Sequence, residues 1–374
     1  MSPTILIAGL GDLGAVVLEL LARERWPGRI IAGSRDLGRT QARVNLARLG
    51  AIAQGCRPVL ESVHLDLDDE AQTADLIRRV SPDVILSTAT RQSWLIPERL
   101  PNRPRMRLNA AGFGVWLPIH LDLSVKLMRA LRESGVGTHT LIAPFPDVAN
   151  LVLSRLGMQP TSGVGNIDEI VPKVATFAAT RLGVSIDEIE VTLVAHHAFG
   201  IHAFEPSDRP RPPHFLRVAH NGTDVTKEFD SEELLCRPYP LTPGPATHFI
   251  TAGSTLRLMC ALTSRETRLH APGPEGLPGG YPILAGPSGV RVPVIPNSSR
   301  QEAIEINERS HPFDGIEMIE PDGTVVFRQE AVDIMDRELG YRCSRLDPAD
   351  ISNRAGELLR RFRLYAKRHG LQVG

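Results

Sequence analysis

The 374-residue chain has only four cysteines, Cys56, Cys236, Cys260 and Cys343, and no two of them stand in CxxC spacing. That gives no disulfide framework and no zinc site, and it fits reduced thiols in a cytoplasmic protein. Neither sign of charge is in excess: 42 Lys+Arg stand against 43 Asp+Glu, a formal net charge of −1. Without a basic stripe or an acidic tail, no nucleic-acid partner and no solvating role is expected. Apolar runs are short as well. None approaches the roughly 18 residues that would span a bilayer. The opening MSPTILIAGLG has no basic region ahead of a longer apolar run, so neither a membrane span nor a signal peptide is expected. With 42% hydrophobic and 23% charged residues, the chain reads as an ordinary soluble protein long enough for two domains.

What is present is a regular alternation. TILIAG (4–9) is a strand pattern ending in glycine, and DLGAVVLELLARERW has helical spacing. RIIAGS from Arg29, SVHLDL (62–67) and PDVILSTAT (82–90) read as further strands, with helical segments between them. This alternation predicts an α/β chain whose N-terminal part is a doubly wound parallel sheet of Rossmann type. Segment 91–114 is polar, punctuated by proline and expected to be a long functional or mobile loop. The helix LDLSVKLMRALRES and the strand THTLIAPFP follow it. After about residue 150 the rhythm changes: a helix over roughly 166–182, a strand into the histidines of EVTLVAHHAFGIHAF, and proline-rich loops at 206–213 and 272–282. THFITAGSTLRLMCALTS reads as a buried helix, GYPILAGPSGVRVPVI and DGTVVF as antiparallel strands, and ISNRAGELLRRFRLYAKRHG as a basic amphipathic helix with a solvated charged face. The expected division is a dinucleotide-binding domain over 1–150, an α+β substrate domain over 151–330 and a C-terminal helical extension over 331–374.

GLGDLG places Gly9, Gly11 and Gly14 in GxGxxG spacing, directly after a strand and opening a helix. The first glycine permits the tight turn, the second the approach of a pyrophosphate, and the third close packing of helix on strand. Asp12 and Leu13 within the motif, and Thr88 and Ala89 at the end of the fourth strand, are expected to flank the cofactor. The second strand ends in AGSRDLGRT, with Ser34 and Arg35 where an NAD-binding chain has an acid, and Arg39 one turn on. A hydroxyl and two guanidiniums suit a 2′-phosphate, so NADP is expected ahead of NAD. Asp36 is the competing candidate for a ribose hydroxyl.

APFPDVANLVLSRLG, GNIDEIVPKVATFAATRLGVS, VTLVAHHAFG and GGYPILAGPSGVRVPVI follow one another in order. As an ordered set, with the nucleotide fold, they resemble the lactate/malate dehydrogenase superfamily over about residues 4–320. That family carries an NPxD turn, a helix with an N-L-D triplet, a strand ending in the catalytic histidine and a Y-x-x-P-V-x-x-G-x-x-G-V hairpin. The resemblance implies a dehydrogenase or reductase acting on a small-molecule substrate, assembled as a homodimer or homotetramer. It puts His197 in the acid/base position and Asp168 in the place of the carboxylate that orients it. Histidine's near-neutral pKa suits proton transfer in both directions. The competing readings are a strand-end histidine satisfied by a backbone carbonyl and a carboxylate placed near a helix N-terminus. His196 is expected to face the other side, since neighbours on a strand alternate.

The departures bear on the substrate. Where the family has a carboxylate-gripping arginine this chain has Val171, with Lys173 as the nearest replacement; Pro144 or Phe145 replaces the asparagine of the NPxD turn. Arg91, Arg103, Arg105 and Arg107 in the long segment are candidate anion holders or carbonyl polarisers, Arg91 and Arg105 foremost; a solvated basic loop is the alternative. A simple 2-oxoacid is therefore not the expected substrate. Three other classes stay open. The nucleotide half also resembles the saccharopine dehydrogenase domain, through GLGDLG, SRD and DVILSTA, which would imply imine reduction. The family 4 glycosidases share the superfamily's fold, but GVGNID lacks their metal-binding cysteine. A non-catalytic NADP sensor is the third. His197, His202 and His214 could form a metal set, yet no carboxylate or cysteine stands at helical spacing with them.

Overall fold

The structure is a computed structural model that describes residues 2–204, 210–237, 239–241 and 244–373. Its first part is a six-stranded parallel sheet of β1 (Thr4–Ala8), β2 (Arg29–Ser34), β3 (Leu60–His64), β4 (Val84–Ser87), β5 (His139–Ile142) and β6 (Ser162–Gly163). The strand order is 3-2-1-4-5-6, the Rossmann arrangement. Between these strands run α1 (Asp12–Leu21), α2 (Leu37–Ala53), α3 (Glu70–Val80), α4 (Leu95–Glu98), α5 (Asn102–Asn109), α6 (Leu117–Ser134) and α7 (Pro146–Arg155). Helices on both faces explain why β1 and β4 read as continuous apolar runs: Ile5 to Ala8 and Val84 to Ser87 are all buried.

Segment 91–114, expected to be a long loop, instead folds into α4 and α5, with Leu100 and Leu108 in the core. The prolines that suggested a loop sit in the first turns of these helices. Amides there have no intrahelical acceptor, so Pro97 and Pro104 remove nothing the helix needs.

The second part begins with α8 (Ile167–Leu182), β7 (Ile189–Ala195) and the short α9 (Gly200–Phe204). It continues through β8 (His214–His220), β9 (Thr223–Asp224), α10 (Ser231–Cys236), α11 (His248–Thr263), β10 (Thr267–Pro272), β11 (Gly280–Gly286), β12 (Gly289–Arg291) and α12 (Arg300–Glu308). Its sheet is antiparallel, ordered β10-β11-β7-β8-β9, with β12 folded back on β11 as the expected hairpin. Residues 206–209 of the first proline-rich stretch lie outside the described residues. α11 packs on α1, so the two parts share one apolar core containing Val17, Leu21, Leu258 and Leu262.

Past residue 314 come β13 (Ile316–Ile319), β14 (Val325–Phe327), α13 (Gln329–Leu339), β15 (Arg345–Leu346) and α14 (Ile351–Arg368). The last stretch is helical as expected, but β15 closes a three-stranded sheet begun at Ile316. It is no loose appendage. Leu358 and Phe362 of α14 are buried against α6, with Phe362 meeting Trp116 edge to face at 5.3 Å. The same seam holds an ion-pair network: Asp122 Oδ2 accepts from Arg91 at 2.5 Å, and Asp122 Oδ1 accepts from Ser352 at 2.5 Å. No helix among the described residues is long and apolar enough to cross a membrane.

Candidate active site

The glycine turn after β1 is built as the motif requires. Gly9 has φ +102°, and a Cβ there would lie 2.8 Å from the Ala89 amide nitrogen. At Gly14 a Cβ would stand 2.4 Å from the Gly9 carbonyl oxygen and 2.7 Å from Thr88 Oγ1. Thr88 in turn donates to the Gly9 carbonyl at 2.8 Å, which pins the turn to the end of β4. Gly11 faces open space, with nothing within 4 Å of its Cβ position. No side chain caps α1, so its first amides and positive dipole end are left to an anion. Asp12 is exposed and Leu13 packs on the core. The open space beside Gly11 and the uncapped first amides of α1 are the features that anion binding at a helix N-terminus uses.

At the end of β2, Asp36 is taken up by the fold: it caps α2 by accepting the Arg39 amide at 2.9 Å. Ser34 Oγ pairs with Thr40 Oγ1 at 2.6 Å. The side chains of Arg35 and Arg39 are exposed and in no ion pair among the described residues. Replacing Asp36 with alanine is expected to cost about 1 kcal/mol as a lost cap, read as a lowered denaturant midpoint.

His197 follows β7 in the second part of the chain. β7 ends at Ala195, His196 caps a short 3₁₀ turn over His197–Phe199, and the imidazole of His197 emerges there, 26% exposed. Its Nδ1 is 3.0 Å from Asp314 Oδ2, its backbone amide donates to Asp147 Oδ1 at 2.9 Å, and among the described residues nothing bonds its Nε2. Rings hold the imidazole on two sides, Phe113 at 4.8 Å and Phe145 at 5.1 Å. Burial works to lower the pKa of His197, but the charge and hydrogen bond of Asp314, with Asp147 and Glu169 behind them, outweigh it and raise the pKa above the ordinary value. Burial also pushes Asp147 up to about 6, against the charge of His197 and a hydrogen bond from Asn166. Two residues near His197 hold left-handed φ without being glycine, Phe145 at 48° and Asn166 at 51°. The Asn166 amide donates to Asp147 Oδ2, which gives that conformation its compensation.

Two chains of contact run between the nucleotide part and the residues around His197. Thr90, just past β4, bonds His120 at 3.0 Å; His120 stacks on Phe113, and Phe113 on His197. On the other side, His248 feels Asp12 and meets Trp94 edge to face, while Thr251, three residues on, donates to Glu169 Oε1 at 2.5 Å. A continuous chain of contacts thus leads from the carboxyl end of β4 to His197, and the carboxyl ends of parallel strands are where such sheets bind ligands.

Several expected site residues lie elsewhere. Asp168 does not meet His197: it is buried between α8, α11 and β10, accepting from the His270 amide at 3.3 Å and from Ser254. The carboxylate at His197 Nδ1 is Asp314, 117 residues further along the chain, for which the sequence carried no local signal. Asp147 did have one, as the acid of PFPD in the NPxD-like turn. His196 does not face away. The strand ladder stops at Ala195, so alternation no longer applies, and His196 Nδ1 sits 3.4 Å from the same Asp314 oxygen while accepting the Ala198 amide at 3.3 Å. Burial pushes its pKa down to about 3, against the pull of Asp314, so it is neutral. Lys173 points into the core, donating to the carbonyls of Ala203 and, at 2.8 Å, Leu235. Arg91 is held by Asp68 and Asp122, and Arg105 reaches Asn102 at 3.2 Å and the Glu98 carbonyl at 3.4 Å. None of the three turns to His197. His214 Nδ1 lies 3.4 Å from the Pro212 carbonyl, and no group of three metal-ligating side chains occurs among the described residues.

No protein-family model and no curated protein matches the chain. Solved structures do. The chain is similar to lactate dehydrogenase from Eimeria maxima, solved with NADH and oxamate, at 11% identity and TM-score 0.57, over 83% of this chain and 92% of that one. It is similar to malate dehydrogenase from Plasmodium falciparum at 13% identity and TM-score 0.56, over 89% and 99%. It is also similar to MGS-M5, a lactate dehydrogenase enzyme from a Medee basin deep-sea metagenome library, at 12% identity and TM-score 0.53, over 90% and 99%. The chain has the lactate/malate dehydrogenase fold, a Rossmann sheet followed by an antiparallel α+β part.

Proposed function

We propose that the protein is an NADP(H)-dependent oxidoreductase, distantly related to the lactate and malate dehydrogenases, that interconverts a carbonyl and a hydroxyl group on a small molecule. The observation that carries this reading is the His197–Asp314 pair, its Nε2 unbonded, in a chain that combines a dehydrogenase fold with a glycine turn after β1. A reduced nicotinamide bound at Gly9, Gly11 and Gly14 would supply the hydride and be left oxidised. As the carbonyl carbon accepts those two electrons, its π pair moves to oxygen and the oxygen takes the Nε2 proton of His197, leaving alcohol and neutral imidazole. Asp314 acts through His197: it fixes which nitrogen carries the proton at Nδ1 and stabilises the imidazolium. Phe113 and Phe145 pack on the ring and limit its rotation.

The cofactor assignment rests on Ser34, Arg35 and Arg39, with Asp36 committed to capping α2. Titrating the protein and following energy transfer from tryptophan to the nicotinamide, NADPH is expected to bind more tightly than NADH. Arg35→Ser with Arg39→Ser should weaken NADPH about tenfold or more and leave NADH nearly unchanged, because charge-assisted bonds to a phosphate are worth about 1.5–3 kcal/mol. Tighter NADH in the unmodified chain sinks the NADP assignment. Failure of both nucleotides to bind, or binding with no carbonyl-dependent NADPH oxidation across ketones, aldehydes and imines, sinks the oxidoreductase.

A further inference from the structure

We infer that Ser34 and Thr40 form a reversible hydroxyl relay that reads the 2′ group of the dinucleotide, which makes Thr40 a specificity-determining residue acting through Ser34. This rests on the dinucleotide reading above, which puts the 2′ group at the end of β2. Ser34 closes β2, and Thr40 lies in the first turn of α2, only 1% exposed. Three contacts link them, and two hydroxyl hydrogens have to serve all three. Thr40 Oγ1 is 2.8 Å from the Asp36 carbonyl oxygen, Ser34 Oγ is 2.6 Å from Thr40 Oγ1, and Ser34 Oγ is 3.3 Å from the same carbonyl.

A carbonyl can only accept. When Thr40 donates to it, the 2.6 Å contact has to be filled by the Ser34 hydrogen, and Ser34 keeps lone pairs for a ligand. This arrangement satisfies both hydrogens without a ligand. When the Thr40 hydrogen turns to Ser34 instead, the same 2.6 Å contact is kept and the Ser34 hydrogen is released. Asp36 is not orphaned by that change, because its carbonyl also accepts the Thr40 amide at 3.0 Å. The two arrangements match the two cofactors. A ribose 2′-hydroxyl can donate to the lone pairs of Ser34, so NADH fits the first. A 2′-phosphate dianion offers only acceptors, so NADPH needs the second. It gains a charge-assisted bond from Ser34 and loses the bond from the Thr40 hydroxyl to Asp36. Thr40 therefore holds back the donor that a phosphate wants while leaving Ser34 able to serve either nucleotide.

Thr40→Val keeps the shape of the side chain and removes its hydroxyl, so nothing on Thr40 competes for the Ser34 hydrogen. Followed by energy transfer from tryptophan to the nicotinamide, NADPH is expected to bind this variant about threefold more tightly, the worth of one neutral hydrogen bond, with NADH unchanged. Thr40→Ser retains the hydroxyl and should match the unmodified chain. Ser34→Ala should weaken NADPH about fivefold or more, and adding Thr40→Val to it should change nothing further. A merely structural threonine would lower the melting temperature and treat the two nucleotides alike. NADPH binding unchanged or weakened in Thr40→Val, an equal change for NADH, or an effect of Thr40→Val that persists beside Ser34→Ala overturns the relay. Loss of NADPH preference in the Arg35→Ser, Arg39→Ser chain with a silent Thr40→Val sinks the relay and leaves the NADP reading standing. Failure of the unmodified chain to bind either nucleotide sinks both.

Discussion

His197→Ala is expected to lower the turnover of carbonyl reduction by about 10²–10⁴-fold, the range that general acid catalysis supplies, with NADPH affinity unchanged. Asp314→Asn should approach the same loss and the double variant should fall little further, because residues acting as one unit are not additive. The amide keeps the size of the carboxylate but removes the charge that raises the pKa of His197. Reduction needs the protonated imidazole, so activity is full below the folded-state pKa and declines as pH rises through it. Since that pKa lies above the ordinary value of about 6.5, the decline should lie on the alkaline side of it in the native protein. In Asp314→Asn it should move to lower pH. A merely structural aspartate would lower the melting temperature and leave the pH profile in place. Asp168→Asn makes the comparison sharp: with Asp168 buried against His270 and Ser254 rather than His197, it should weaken stability without moving the profile. A profile shifted by Asp168→Asn and not by Asp314→Asn would restore the order the family resemblance implied.

These contrasts show which parts of the molecule its sequence expresses. The Gly9–Gly14 turn is local, and local constraints leave marks: a residue pattern, a strand before it, a helix after it. The parallel sheet was legible for the same reason, through short buried runs alternating with helical spacing. His197 was legible as a polar residue at the end of an apolar strand. Its carboxylate was not, because the Asp314 contact closes over 117 residues and depends on how the second part folds back on the first. Asp168 shows the complementary error. Being in the right order along the chain does not fix the direction of a side chain at the start of a helix, and here α11 and β10 supply its partners. His196 lies one residue beyond the last ladder position, where strand alternation no longer sets which side a residue faces. Arg91 and Lys173 looked like anion holders because their acceptors, Asp122 and the carbonyls of Ala203 and Leu235, are distant in sequence.

Gly112→Ala should damage stability and activity together, although residue 112 touches no reacting group. Gly112 has φ +83°, a conformation that costs an alanine about 1–2 kcal/mol. Its Cβ would also stand 2.4 Å from the carbonyl carbon of Asp314 and 2.6 Å from its oxygen. Both are backbone atoms and cannot swing aside. The facing loop is fixed just as tightly, since a Cβ on Gly315 (φ +77°) would lie 2.2 Å from the Ala111 carbonyl oxygen and one on Gly114 2.5 Å from that of Asp314. Overpacking adds about 1–3 kcal/mol, so a total loss of about 2–5 kcal/mol is expected, measured as a lower denaturant midpoint. The interlocking has a functional consequence. Phe113, between two of these glycines, packs on His197, while Asp314, across the contact, holds its Nδ1. Forcing the loops apart moves the ring's wall and its carboxylate at once. The surviving folded protein should therefore show reduced turnover and an alkaline decline displaced to lower pH, as in Asp314→Asn. Gly137→Ala is the control: it is exposed, with nothing within 4 Å of its Cβ position, and should change neither. Full activity and an unshifted profile in Gly112→Ala would mean that the placement of Asp314 does not govern the proton on His197.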